Sequence, residues 1–423
     1  MRTTPRMNEP VLDAVREGFA RSDRVFWLDG GGSRDWSGRR SLVGVLDHDD
    51  VSLTFDAARG EVTRHQGDRS GIVGTDVFAV LEAEIAADAG DTDVHWVGCF
   101  GYASRPDLGA TPWGIGPDAI WMRSRDVRFF DHDPVVSSPS RRSPALAPQP
   151  PKDAPGWYQA AFAQVQEHLR AGNSYEVNLT YREQVGAGDP LAAYLRLRST
   201  NPAPYAGLLS HRGTDLLSSS PERYATIDRD RWLETKPIKG TTPRGDTAEQ
   251  DEQRSHELTT DPKYRAENLM IVDLLRNDLS MVCEVGSVTV PSLMAVESYP
   301  SVHQLVSTVR GRLRDDVSTL GALWALFPAG SMTGAPKLRT MQVIDEVEAT
   351  PRGLYAGAFG WICADGRADL GVVIRSLYGA PDGSWWIGTG GGITVRSDVD
   401  EEWAETLLKA LRLRTAAPFE RPQ

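Results

Sequence analysis

From residue 174 onward the chain keeps changing its hydrophobic period, and that alternation is the strongest constraint on its fold. A strand-like run, SYEVNLTYR (174–182), is followed by LLSSSPERYATID (216–228) and RWLETKPI (231–238), which read as a hairpin leading into the loop TKPIKGTTPRG (235–245). A strongly apolar helix follows in RAENLMIVDLLRNDL (265–279), and helices LGALWALF (320–327) and KLRTMQVIDEVE (337–348) flank PAGSMTGAP. Strands AGAFGWICA (356–364), GVVIRSLYG (371–379) and SWWIGTGGGITV (384–395) precede a last helix, EEWAETLLKALRLR (401–414). Strands in hairpins with helices set among them predict an α+β chain, not a doubly wound parallel sheet.

Upstream, short apolar runs alternate with turn residues in RVFWLDGGG (24–32), LVGVLD (42–47), VSLTFD (51–56) and VHWVGCFGY (94–102), around a helix at VFAVLEAEIAA (77–87). These predict an antiparallel sheet. Residues 131–156 are rich in Pro and Ser and read as an exposed linker. Trp157, Tyr158, Ala161, Phe162, Val165 and Leu169 then repeat at helical spacing. The expected organisation is an N-terminal region at 1–130, the linker at 131–156 and a main domain at 157–416.

Charge narrows the partners. A formal net charge of −12 repels phosphate backbones and anionic lipids, so neither nucleic acid nor membrane is an expected partner. A small anionic substrate then needs local positive charge or a metal beside it. Three scattered cysteines, Cys99, Cys283 and Cys363, suggest neither a disulfide framework nor a zinc site. With no secretory pattern in MRTTPRMNEP, a cytoplasmic setting is expected.

Several residues carry two readings each. Glu267 shares a helix face with Met270, Ile271 and Leu274. A carboxylate there needs a partner cation, either a basic side chain or a metal. Glu402 and Glu405 stand three apart behind the glycine-rich GTGGGIT. They fit a hard ion such as Mg²⁺, or a solvated helix start. Arg375 fits a carboxylate clamp or a sheet-edge ion pair. PAGSMTGAPK offers backbone donors for an anion without the spacing of a Walker loop. Lys239, fixed between Pro237 and Gly240, is an exposed loop lysine or a nucleophile. A nucleophilic lysine needs its pKa lowered by burial or nearby cations.

Taken together, SYEVNLT, SSSPERY, TKPIKGTTPRG, AENLMIVDLLRNDL, SVHQLVS, PAGSMTGAPK, GAFGW, VVIRS, GTGGGIT and EEWAETLLKA resemble the chorismate-utilising enzymes, in family order over about 174–410. The N-terminal match, in FWLDGGG and GCFGY, is weaker. The resemblance implies two large antiparallel sheets packed face to face with helices outside, and a site holding Mg²⁺ and chorismate between them. It implies Glu267 and Glu405 as metal ligands, with Glu402 as a further carboxylate. Tyr264 stands where many members carry one more acid. Arg375 would grip the enolpyruvyl carboxylate, and Trp361 stands where a tyrosine is common. Gly390, Gly391 and Gly392 would offer backbone donors, and Thr241 and Glu176 would line the substrate. Ser331 and His303 would lie near the ring and its departing hydroxyl, and Glu222 would be the acid that assists its loss.

The lysine in PIKG resembles the mark of the aminodeoxychorismate branch; anthranilate synthases usually read PIAG. There the amine is inferred to attack ring carbon 2 and expel the carbon-4 hydroxyl, after which ammonia attacks carbon 4. Water-using members carry a lysine at the position of Glu176, which argues against isochorismate and salicylate synthases. The expected function is aminodeoxychorismate synthase component I, with ammonia from a separate glutamine amidotransferase subunit. The alternatives are an anthranilate or 2-amino-2-deoxyisochorismate synthase, and a chorismate-binding subunit without turnover.

Overall fold

Within single strands, neighbouring leucines are claimed by different cores. In strand Tyr205–His211, Leu209 belongs to one apolar cluster and Leu208 to another; in Thr214–Ser220, Leu216 and Leu217 divide the same way. Successive strand side chains point to opposite faces, so this sheet is covered on both. The structure, a computed structural model, describes residues 9–30, 39–89, 91–132, 153–186, 188–299 and 302–417.

Among the described residues there are two sheets, of nine and twelve strands, with every named pairing antiparallel. The first runs, in spatial order, through Gly334–Ala335, Glu176–Val185, Trp385–Ile393, Ser376–Gly379, Thr214–Ser220, Tyr205–His211, Arg24–Asp29, Arg40–Val45 and Val127–Asp131. The second runs Ile238–Pro243, Val302–Arg312, Trp232–Lys236, Arg223–Ile227, Ala368–Val372, Ala358–Cys363, His95–Phe100, Ala119–Ser124, Ser52–Asp56, Glu61–Gln66 and Arg69–Gly74, with Thr289–Ser298 paired to Val302–Arg312 off this path. One cluster joins Phe26, Leu209 and Tyr378 of the first to Trp96, Trp121, Ile227 and Phe359 of the second, so the sheets face each other over a common core. Helices Glu9–Arg21, Pro190–Thr200 and Val399–Ala416 cover the outer face of the first sheet. This is the expected α+β arrangement. Among the described residues no helix is long and apolar enough to cross a membrane.

Strands from before residue 132 lie inside both sheets. Arg24–Asp29 pairs with Tyr205–His211, and His95–Phe100 pairs with Ala358–Cys363. Of the stretch read as a linker, 133–152 lies outside the described residues; Asp131 ends a strand and Gly156 opens helix Gly156–Arg170.

Two expected strands turn out to be crossings. GVVIRSLYG splits: Ala368–Val372 belongs to the second sheet and Ser376–Gly379 to the first. LLSSSPERYATID splits likewise, between Thr214–Ser220 and Arg223–Ile227. The chain changes sheets at Val373–Arg375 and at Pro221–Glu222. Backbone bonds tie the crossings together, from Val372 N to Glu222 O (3.0 Å) and from Ser219 N to Arg375 O (3.2 Å). Arg375 takes φ +50°, a left-handed conformation uncommon for a side-chain-bearing residue.

Candidate active site where the chain crosses between sheets

Glu222 hangs from the first crossing and is buried, 5% exposed. Ser331 Oγ donates a hydrogen bond to its Oε1 at 2.5 Å. Ser331 is placed by the short 3-10 turn Gly330–Met332, whose Met332 carbonyl accepts from Arg352 (2.6 Å) and Asn178 (3.2 Å). Burial pushes the Glu222 carboxyl up to about 7, although Ser331 and the charges of Lys239 and Lys409 pull it down. A carboxyl that still carries a proton near neutral pH is what a general acid requires.

Lys239 lies on strand Ile238–Pro243, and Nζ donates to the Glu176 carboxylate, itself 1% exposed. The neighbouring Gly240 adopts φ +94°; a Cβ there would meet Leu258 at 3.0 Å and the Tyr264 ring at 3.1 Å. The loop is therefore fixed from both sides. The expectation of a lowered lysine pKa needs correction. Burial does lower it, but Glu176, Glu267 and Glu222 together outweigh burial and raise it. At rest Lys239 is an ammonium, and a nucleophilic role would require a neighbour to take its proton.

Helix Pro262–Ser280, capped by Asp261 with Pro262 at its first position, carries Glu267 into the same cluster. Burial lifts Glu267 to about 7, and its Oε1 is buried without a hydrogen-bond partner. Helix Val399–Ala416 brings Glu402 and Glu405, with Lys263 Nζ 2.9 Å from Glu402 Oε1 and Lys409 Nζ 2.7 Å from Glu405 Oε1. Lys409 holds the Glu405 carboxyl below its usual range. Among the described residues no three His, Cys, Asp or Glu side chains converge closely enough to hold a metal ion. The chemistry still fits a hard cation: several carboxylates, two of them with an orphaned, buried oxygen (Glu267 Oε1 and Glu176 Oε2), partly neutralised by lysines.

The glycine strand makes this crowding possible. A Cβ on Gly391 would come within 3.1 Å of Glu402 Oε2, and one on Gly392 would overlap the Glu176 carboxylate and lie 3.2 Å from Lys239 Nζ. Gly390 offers its carbonyl to Lys409 at 2.8 Å. Gly392→Ala is expected to force the Glu176–Lys239 pair apart, with turnover falling at least about tenfold for an overpacking cost of roughly 1–3 kcal/mol. Steady-state assay and thermal unfolding side by side check this; parental kcat would show the pair to be dispensable.

Arg375 is half-buried at the second crossing, and no carboxylate among the described residues pairs with it. Burial and the nearby Arg412 lower its pKa. An unpaired guanidinium of this kind is ready to take a ligand carboxylate. Thr241 is half-buried on the Lys239 strand, opposite Gln304.

Two expected site residues have other company. His303 lies opposite Thr242, but both ring nitrogens are engaged, with Ser298 Oγ (2.8 Å) and Asp251 Oδ1 (3.0 Å). It ties its strand to helix Ala248–Thr260 and has no nitrogen left for a ring hydroxyl. Trp361 packs near His95 and Arg367 and lines a separate cavity of about 790 Å³ with Leu28, Tyr205 and Asp369. The tyrosine near Arg375 is instead Tyr355, each influencing the other's charge, with its hydroxyl pushed up to about 12 by burial. It sits in a turn before positive-φ Ala356, where no periodicity marks it. Lys263 and Lys409 were also missed. Their spacing, four residues before Glu267 and four after Glu405, was the available signal.

Comparison with known proteins identifies the family and the fold. The sequence profile of the chorismate binding enzyme family matches residues 47–415. Aminodeoxychorismate synthases of Streptomyces pristinaespiralis and Streptomyces griseus are 39% and 36% identical over 93% of the chain, which spans 61% of their length. Aminodeoxychorismate synthase component 1 of Escherichia coli is 42% identical over 60% of the chain and 56% of its own. Among solved structures, anthranilate synthase component I from Streptococcus pneumoniae superposes with a TM-score of 0.74 at 27% identity, over 90% of this chain and 93% of that one.

Proposed function

Because the chain belongs to the chorismate binding enzyme family, we propose that it aminates chorismate at carbon 4 to give 4-amino-4-deoxychorismate, as the synthase component of an aminodeoxychorismate synthase. The observation that carries this reading is the pairing of two groups in one buried cluster: Lys239, bonded to Glu176, and Glu222, a carboxyl still protonated near pH 7. A lone acid suits loss of a hydroxyl; the added amine supplies a first nucleophile.

Glu176, which already accepts Lys239's hydrogen bond, takes its proton. Nζ then forms a bond to ring carbon 2, the double bond shifts, and the carbon-4 hydroxyl leaves as water with the proton of Glu222. Ammonia attacks carbon 4, the double bond returns, and the Lys239 bond to carbon 2 breaks. The new ammonium returns a proton to Glu222, and Glu176 returns its own to Lys239. Arg375 holds a substrate carboxylate throughout. Mg²⁺, held by Glu267, Glu402 and Glu405, would supply positive charge to a substrate carboxylate in an otherwise acidic protein. Ammonia is supplied by a glutamine amidotransferase partner.

The test is product identity. Purified protein is incubated with chorismate, Mg²⁺ and ammonium, and the product is identified by mass and by its conversion to 4-aminobenzoate with a lyase. Fluorescent anthranilate, or chorismate left unconsumed, would overturn the reading.

A further inference from the structure

The glutamates of the last helix reach the site already paired, but their two lysines are not equivalent. Lys409 sits on the same helix as Glu405, four residues on, and is anchored a second time on the Gly390 carbonyl at 2.8 Å. Lys263 crosses from a different helix, and its side chain is 37% exposed, so water lies beside it. It occupies the first turn of helix Pro262–Ser280, where the helix dipole disfavours a cation. Glu402 is what holds it there: the carboxylate is 2% exposed and accepts from both Lys263 (2.9 Å) and Ser397 Oγ (2.8 Å). The charge of Lys263 interacts most with Glu402, and also with Glu267 and Glu405. Opposite, Glu267 Oε1 and Glu176 Oε2 are buried without partners.

We propose that Lys263 is a resident counter-ion that a divalent cation displaces from Glu402, and that this lysine sets the cation affinity of the site. The proposal rests on the metal reading above. It also accounts for the lack of any three converging carboxylates among the described residues: Glu402 and Glu405 are each drawn towards a lysine. Displacement releases a long, half-exposed side chain to water, where its charge is well solvated. A fixed positive charge within a few ångströms of a cation site opposes binding by direct Coulomb repulsion. Removing it therefore tightens binding.

The experiment is calorimetric titration of MgCl₂ into the protein without chorismate, with electron paramagnetic resonance of bound Mn²⁺ as a second readout. Lys263→Gln, which keeps a donor for Glu402, and Lys263→Met are expected to bind Mg²⁺ at least about tenfold more tightly than the parent. Lys263→Arg, which keeps the charge, is expected to stay within a few-fold of it. Uncharged variants that bind no more tightly than the parent overturn the proposal and leave the metal reading standing. Absence of binding in parent and variants alike overturns both. A parent that binds too weakly to measure beside a Lys263→Gln variant that binds supports displacement.

Discussion

Lys239→Arg is expected to leave a folded protein that still binds chorismate but loses the 4-amino product by at least about 10³-fold, the scale on which removal of a covalent nucleophile falls. Arginine keeps a positive charge beside Glu176 and Glu267, so the buried carboxylates stay compensated. It has no accessible neutral form and cannot attack carbon 2. Lys239→Ala is the less informative change. It strands Glu176, 1% exposed, without its cation and is expected to cost about 3–5 kcal/mol of stability as well as turnover. Intact-protein mass spectrometry without ammonia separates chemistry from folding. The parent should carry an adduct of chorismate less one water on the peptide containing Lys239; the arginine variant should not. Parental rate and product from Lys239→Arg would remove the covalent route.

Glu222→Gln carries the second large effect, and it runs in opposite directions for turnover and stability. Loss of the acid is expected to lower kcat by about 10²–10⁴-fold. In the parent, the limb of the pH–rate profile due to this acid should fall as pH rises through about 7, because only the protonated form delivers a proton to the leaving hydroxyl. Stability follows the same proton. The folded carboxyl titrates near 7 against an ordinary value of 4.5, so the folded state holds the proton more tightly. Its favourable contribution is complete below pH 4.5 and is lost as pH rises through 7. Glutamine, neutral throughout, is expected to exceed the parent at pH 8 by an amount on the order of 3 kcal/mol, with the gap closing at pH 4.5. Urea unfolding at the two pH values checks this. An inactive variant with no stability gain at pH 8 would mean that Glu222 is not a strained buried acid.

Much of this site was legible because its residues sit on strongly patterned elements. The apolar face of 265–279 announced the helix that carries Glu267, and the helix at 77–87 ends where its pattern ends, with Asp76 as its cap. What stayed hidden were changes of hydrogen-bonding partner. GVVIRSLYG reads as one strand because apolar residues lie on both sides of Arg375, Val372–Ile374 before it and Leu377–Tyr378 after, and both resulting strands are largely buried. Nothing local records that they belong to different sheets. Trp361 was misplaced for a related reason. Residues 359 and 361 share a strand face, and that face lines the separate cavity, whereas Tyr355 enters from an irregular turn. His303 was placed near the ring by the resemblance alone, and its partners Ser298 and Asp251 come from elements that its own sequence context does not reveal.

The two sheet-to-sheet crossings have a consequence for anyone hoping to transplant this chemistry. Glu222 and Arg375 are suspended from adjacent sheet-to-sheet crossings that are laced to one another through main-chain amides, at 3.0 and 3.2 Å. Neither can be re-aimed by lengthening its own connection without pulling the other. A design that borrowed only the strands, or grafted one reversal alone, would inherit the residues and lose their mutual alignment.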